Sequence, residues 1–205
     1  MEYILAVTLF AISSSVTPGP NNIMVMTSAV NFGIKKSLPL LSGICIGFAI
    51  MLLMVGLGFG QLFNVFPSLH LIIKCIGTLY LLYLAWVIAR SAGISTSASD
   101  AKPLSFMKGA LFQWVNAKAW IVATGAMATF TNVGSNFDQQ FVIIAIAFLL
   151  VSFPCVGVWM LFGTMLREVL KKKSYRMWFN LSMSGLLVLS VIPVIIEILT
   201  ILFQN

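Results

Sequence analysis

The sequence predicts an all-α integral membrane protein of six transmembrane helices, and three observations carry that prediction. Hydrophobic residues make up 60% of the 205 and charged residues only 8%, where a water-soluble domain carries about 25% charged residues. Six apolar stretches are each long enough to cross roughly 30 Å of hydrocarbon, which takes about 20 helical residues. Basic residues fall only in every second gap between those stretches. So little chain lies outside the spans that a soluble catalytic or nucleic-acid-binding domain has no room. The net charge of +7 is therefore read as a topology signal and not as a nucleic-acid footprint.

The whole chain, 1–205, reads as one transmembrane domain with spans at 3–30, 38–66, 69–89, 106–130, 141–166 and 177–203. The longer spans must tilt or bend. The first opens Met1-Glu2-Tyr3, lacks the positive start of a secretory signal, and is expected to be retained. Inside it, Ser13-Ser14-Ser15-Val16-Thr17-Pro18-Gly19-Pro20-Asn21-Asn22 cannot continue an α-helix. Pro18 and Pro20 have no N–H, so the carbonyls of Ser14 and Val16 lose their usual partners. Thr17 or Gly19 can cap a second half-helix that starts at Pro20. Its first-turn N–H groups, at Asn21 and Asn22, carry partial positive charge. Bare carbonyls on one side suit an ammonium and free amides on the other suit a carboxylate, the two charges of an amino acid. The alternative is a proline kink satisfied by neighbouring helices.

The second span carries Gly43-xxx-Gly47 and Gly56-xxx-Gly60, a face of small residues that permits close helix packing within the fold or against a second copy. Packing within the fold is expected, and a homo-oligomer is left open. In the third, Lys74 stands near the outer end, where it can snorkel to the interface. The Ser/Ala-rich segment 91–105 reads as a flexible cytoplasmic linker between two three-helix halves, 1–90 and 106–205.

The fourth span is interrupted at Gln113-Trp114-Val115-Asn116-Ala117-Lys118-Ala119-Trp120. A lysine mid-span costs about 2.5–3.5 kcal/mol on insertion scales and usually faces a cavity or a partner. Lys118 could hold a substrate carboxylate, pair with an acid, or carry a proton. The alternatives are snorkelling or a fixed bond to a broken-helix carbonyl. In the last two spans, Pro154 and Pro193 free the carbonyls of Leu150 and Leu189, and bends are expected there. His70, Asp138 and Glu197 read as surface or interfacial groups, and Tyr3, Tyr80, Trp86 and Trp178 as interface anchors. Cys45, Cys75 and Cys155 lie inside apolar runs and read as small core residues. No metal ligands, cofactor motif or catalytic constellation appears in the sequence, so an enzyme is not expected.

The charges orient the spans. Lys35 and Lys36 follow the first; Arg90, Lys102 and Lys108 follow the third; Arg167, Lys171, Lys172, Lys173 and Arg176 follow the fifth. Basic loops stay in the cytoplasm, which puts both termini on the outer side. Two halves of three spans then have inverted topology. That arrangement recurs in secondary transporters, where interrupted helices meet at a midplane binding site.

At Thr17-Pro18-Gly19-Pro20-Asn21-Asn22 the sequence resembles the LysE/RhtB family of bacterial amino-acid exporters. Ala101-Lys102-Pro103-Leu104-Ser105-Phe106 and Val115-Asn116-Ala117-Lys118 fall in the family's order, and the resemblance covers essentially the whole chain. These two segments resemble the branch that exports cysteine and O-acetylserine. Many members have Asn-Pro-Lys where this chain has Asn116-Ala117-Lys118, so a helix-breaking proline is missing here. The resemblance implies export of small neutral amino acids or derivatives, of the cysteine, O-acetylserine, homoserine or threonine type. It further implies proton antiport across the cytoplasmic (inner) membrane of a bacterium. It carries over Thr17, Pro18, Gly19, Pro20, Asn21, Asn22, Asn116 and Lys118 as substrate-binding residues. Competing readings are a transporter or channel for another small solute and a non-transporting membrane assembly subunit.

Overall fold

The computed structural model describes residues 2–58, 65, 67–90, 102–132 and 137–203. The predicted linker lies outside these except for its last four residues, as do Gly60 and the side chain of His70. The described residues form helices and no strand.

The first predicted span is two helices, α1 (Glu2–Val16) and α2 (Pro20–Phe32), bent by 56° across Thr17, Pro18 and Gly19. The missing proline donors end α1, and Pro20 opens α2 at a first-turn position that has no use for its N–H. Gly33, at φ 81°, turns α2 into α3 (Ile34–Gly56) through a single residue. That backbone conformation is one that side chains resist, and a Cβ there would also lie 2.8 Å from the Arg167 guanidinium. Next comes α4 (Pro67–Arg90).

The fourth predicted span is broken too, without a proline. Helix α5 (Phe106–Phe112) is capped by Ser105 and runs into a 3-10 turn, Gln113–Val115. Asn116 is extended, and α6 (Ala117–Phe130) starts after it, with Asn116 Oδ1 accepting from the Lys118 N–H at 3.2 Å. An asparagine cap that satisfies a first-turn donor stabilises a fresh helix start on its own. Helices α7 (Phe137–Val169) and α8 (Lys173–Phe203) follow. Pro154 and Pro193 sit inside them without interrupting them.

Among the described residues, four helices (α3, α4, α7 and α8) are long and apolar enough to cross a membrane. They become five if α1 and α2 count as one bent span. Large apolar side chains such as Leu79, Ile121, Leu150, Met165 and Leu189 stand exposed on the outer faces, as helices in contact with lipid require.

Helix α7 is the hub. Helices α1, α2 and α3 all pack on it, α3 also packs on α5, and α4 packs chiefly on α8 to one side. Close approach depends on absent side chains. A Cβ on Gly43 would overlap the Phe106 carbonyl, and one on Gly163 would overlap the Met26 carbonyl. The Gly43-xxx-Gly47 face is thus used inside the fold, against α5. Lys74 and Glu197, expected separately at the interface, form an ion pair that ties α4 to α8. The Tyr3 hydroxyl donates to the Phe130 carbonyl at 3.0 Å and joins the ends of α1 and α6.

Candidate functional site

The two breaks meet. Gly19, Asn116 and Lys118 line one cavity of about 50 Å³, and Lys118 reaches directly to the Thr17 and Pro18 carbonyls. Its lining includes Gly19, Pro20, Asn21, Asn22, Asn116 and Lys118 from the predicted site. Ser14, Ser15, Cys45, Phe48, Phe148 and Ser152 lie among the other residues around it. Thr17 and Pro18 are not part of that lining; their backbone carbonyls meet Lys118 beside it.

Every carbonyl freed by the break needs a donor, because hydrocarbon supplies none. The Thr17 hydroxyl is shared between the Ser13 carbonyl at 2.7 Å and the Ser14 carbonyl at 3.0 Å. The Val16 carbonyl takes Trp159 Nε1 from α7 at 3.1 Å. Asn22 Nδ2 donates to the carbonyls of Ser15 at 3.1 Å and Thr17 at 2.9 Å. The remaining donor is Lys118, whose Nζ lies 2.9 Å from the Thr17 carbonyl, 3.2 Å from Thr17 Oγ1 and 3.5 Å from the Pro18 carbonyl. The ammonium that the sequence leads one to place on these carbonyls belongs, in this state, to the protein's own lysine.

The amides expected to face a solute divide into two kinds. Asn21 and Gln113 exchange two hydrogen bonds, Asn21 Nδ2 to Gln113 Oε1 at 2.9 Å and Gln113 Nε2 to Asn21 Oδ1 at 3.1 Å. Gln113 is fully buried and also donates to the Gly109 carbonyl. Asn21 is therefore a clasp between the two broken helices. Asn22, by contrast, is buried with its Oδ1 unpartnered among the described residues, an acceptor left open beside the cavity.

Two positive helix ends border the cavity, opposite the freed carbonyls. Helix α2 begins at Pro20 and α6 at Ala117, so two half-helices aim their N-terminal ends at one place, each carrying about half a positive charge. The backbone N–H groups of Asn21 and Asn22 make no hydrogen bond among the described residues. With Lys118 they form a set suited to a carboxylate. On one flank, Phe10, Phe48, Phe130 and Phe148 form a chain of edge-to-face rings.

Sequence reasoning missed Gln113, Ser152 and Trp159 as parts of the site. Gln113 and Trp159 carried a legible sign. One is a fully polar amide inside a break, and the other is a tryptophan well inside a span, where its N–H must find a partner. Nothing local marks Ser152, which lies 3.5 Å from Ser15 through their hydroxyls.

Residues 12–199 match the LysE type translocator family. A cysteine/O-acetylserine efflux protein of Klebsiella pneumoniae is similar, 28% identical over 196 residues that cover 95% of this chain and 97% of that protein. Proteins of the same description from Escherichia coli and Salmonella choleraesuis are 35% and 34% identical over 122 residues, 59% of this chain and 62% of theirs. No solved structure matches the chain. With a match that runs through both breaks and nearly every helix, the chain belongs to the LysE family of translocators.

Proposed function

We propose that the chain exports small neutral amino acids or close derivatives, of the cysteine, O-acetylserine, homoserine or threonine type, in exchange for protons. Its family makes it a transporter and not an enzyme, and its apolar helices make it a multi-pass membrane protein. The substrate class rests on the similar efflux proteins.

The observation that carries this reading is Lys118 Nζ seated on the Thr17 and Pro18 carbonyls beside two half-helix N-termini. Carboxylate and ammonium each have a place there. The carboxylate is held by the N–H groups of Asn21 and Asn22 and the start of α6. Asn22 Oδ1 accepts from the ammonium, and so do the two carbonyls once Lys118 releases them. Protons then compete with solute. A proton gained on Lys118 Nζ from outside restores its grip on the carbonyls and expels the ammonium. A proton lost to the inside opens the carbonyls to the next solute. A cavity of about 50 Å³ has room for a few waters at roughly 10–15 Å³ each, so solute binding requires the helices around it to part.

Counting α1 with α2, and α5 with α6, as one broken span each gives six spans. The basic gaps then lie inside and both termini on the periplasmic side. The packing supports two inverted halves, 1–90 and 106–205, joined by 91–105 within one domain. Span one lies on span five as span four lies on span two, while two pairs with five and three pairs with six. Exchanging the halves leaves those pairings unchanged. Such symmetry suits alternating access by one half rocking on the other.

The test uses proteoliposomes loaded with labelled serine, cysteine, O-acetylserine, threonine, leucine or lysine, with and without an inward proton gradient. Gradient-stimulated efflux of one or two small neutral amino acids is expected. No efflux of any of them from monodisperse protein overturns the proposal.

A further inference from the structure

The buried polar side chains of the described residues fall into two groups. Asn22, Gln113, Asn116 and Ser152 belong to the site at the breaks; Thr27, Ser28, Ser37 and Asn180 do not. The second group lies along the C-terminal half of α2, roughly 7–13 Å beyond Asn22 at 1.5 Å per residue, toward the basic gaps. Asn31 and Asn180 exchange amide hydrogen bonds at 3.3 and 3.4 Å, and the Ser28 and Ser37 hydroxyls meet at 2.8 Å. A small cavity of about 40 Å³ runs beside them, lined by Thr27, Ser28 and Asn31 on α2, Leu84 and Ile88 on α4, and Lys102.

Polar groups between membrane helices often serve only as interhelical glue. Glue would be fully bonded, and here one member is not. Thr124, Thr131, Thr164 and Thr200 each donate to the carbonyl four residues back. Thr27 is 3% exposed, yet its Oγ1 has no partner among the described residues. A hydroxyl left unbonded in a dry interior costs about 1–3 kcal/mol, so this one sits beside space that water or a solute can fill. The rim of the seam is cationic. Lys102 lines the cavity, Lys35 and Lys36 follow Gly33, and the Arg167 guanidinium lies against Gly33. That rim draws in a carboxylate. Between the two polar groups stands Met24, 1% exposed, an unbranched side chain that yields readily.

We propose that the Thr27–Asn31–Asn180 seam is the closed inner half of the solute path, a second and transient site for a small zwitterion on its way from the basic loops to the paired breaks. The identity of the solute rests on the exporter reading; the existence of the path does not.

Cysteine accessibility tests it. Cys45, Cys75 and Cys155 are replaced by alanine, and Thr27→Cys, Asn31→Cys and the buried control Leu187→Cys are introduced one at a time. Lys172→Cys marks the side that carries the basic loops. Sealed vesicles are treated with a membrane-impermeant methanethiosulfonate bearing a trimethylammonium group. Thr27→Cys and Asn31→Cys are expected to react from the Lys172 side on the order of tenfold faster than Leu187→Cys. Reaction of both at the control rate in monodisperse protein, or reaction only from the opposite side, overturns the path. O-acetylserine efflux from vesicles of the wild-type protein, with its cysteines and seam intact, reads the exporter proposal separately. Labelling at Thr27→Cys with no O-acetylserine efflux from the wild-type vesicles keeps the path and loses that solute.

Discussion

Lys118 donates from Nζ to the backbone carbonyl of Thr17 at 2.9 Å, 101 residues away in sequence. The lysine of one broken helix thereby completes the backbone hydrogen bonding of the other. Removing it strips a charged donor from a carbonyl that lipid cannot serve, and it also removes the group we assign to proton competition. Lys118→Ala should lower efflux roughly tenfold or more while the protein still inserts, because Asn22 continues to bond the Thr17 carbonyl. Efflux per milligram of membrane protein checks this. Wild-type rates in the variant would remove Lys118 from the mechanism.

Two glycines should separate function from folding. A Cβ on Gly19 would meet Lys118 Cδ at 3.1 Å and Nζ at 3.2 Å, the movable end of a flexible side chain, and φ of −175° is open to any residue. Gly19→Ala should therefore displace Lys118, cut efflux several-fold and leave thermal stability close to wild type. A Cβ on Gly43 would strike the Phe106 carbonyl, and backbone cannot step aside. Gly43→Ala should lose about 1–3 kcal/mol or more through overpacking. Melting of the two variants in one detergent compares them directly.

The clasp between Asn21 and Gln113 should show coupling. Asn21→Leu leaves the buried Gln113 Oε1 without its donor, and Gln113→Leu leaves the half-buried Asn21 amide unpaired; each destabilises by about 1–3 kcal/mol. The double variant removes both amides and should lose less than the sum of the two, by about 1 kcal/mol. Denaturant unfolding of all four proteins measures the difference; strict additivity would mean the pair is not a unit.

Ala117→Pro should be tolerated and mildly stabilising. Ala117 is the first residue of α6, where proline is favoured. Asn116 before it already has the extended conformation that proline demands, φ −89° and ψ 106°. Restricting the unfolded chain then contributes about 0.4–1 kcal/mol. A fall in melting temperature would show that the break at Asn116 depends on the freedom of Ala117.

How much of this was legible in advance varied with the range of the interaction. The break at Pro18 and Pro20 was plain, because a missing N–H acts on the carbonyl four residues earlier wherever the helix lies. The break at Asn116 was harder. No proline marks it, and the side-chain cap that starts the second half-helix looks like an ordinary asparagine. Lys74 and Glu197 read as two separate interfacial charges, since nothing in their surroundings announces a partner on another helix.

The sequence alone determined the apolar helices, the positions of the breaks, and which polar groups lie among them. Those follow from composition and from hydrogen bonds that close within a few residues. Tertiary structure alone decided who completes the breaks. Trp159 serves Val16, Lys118 serves Thr17, and Gln113 pairs with the side-chain amide of Asn21. A freed carbonyl specifies only that some donor must come. Which donor arrives depends on which helix packs there, and that is set by side-chain volume at close crossings such as Gly163 on Met26, not by residue spacing along one helix.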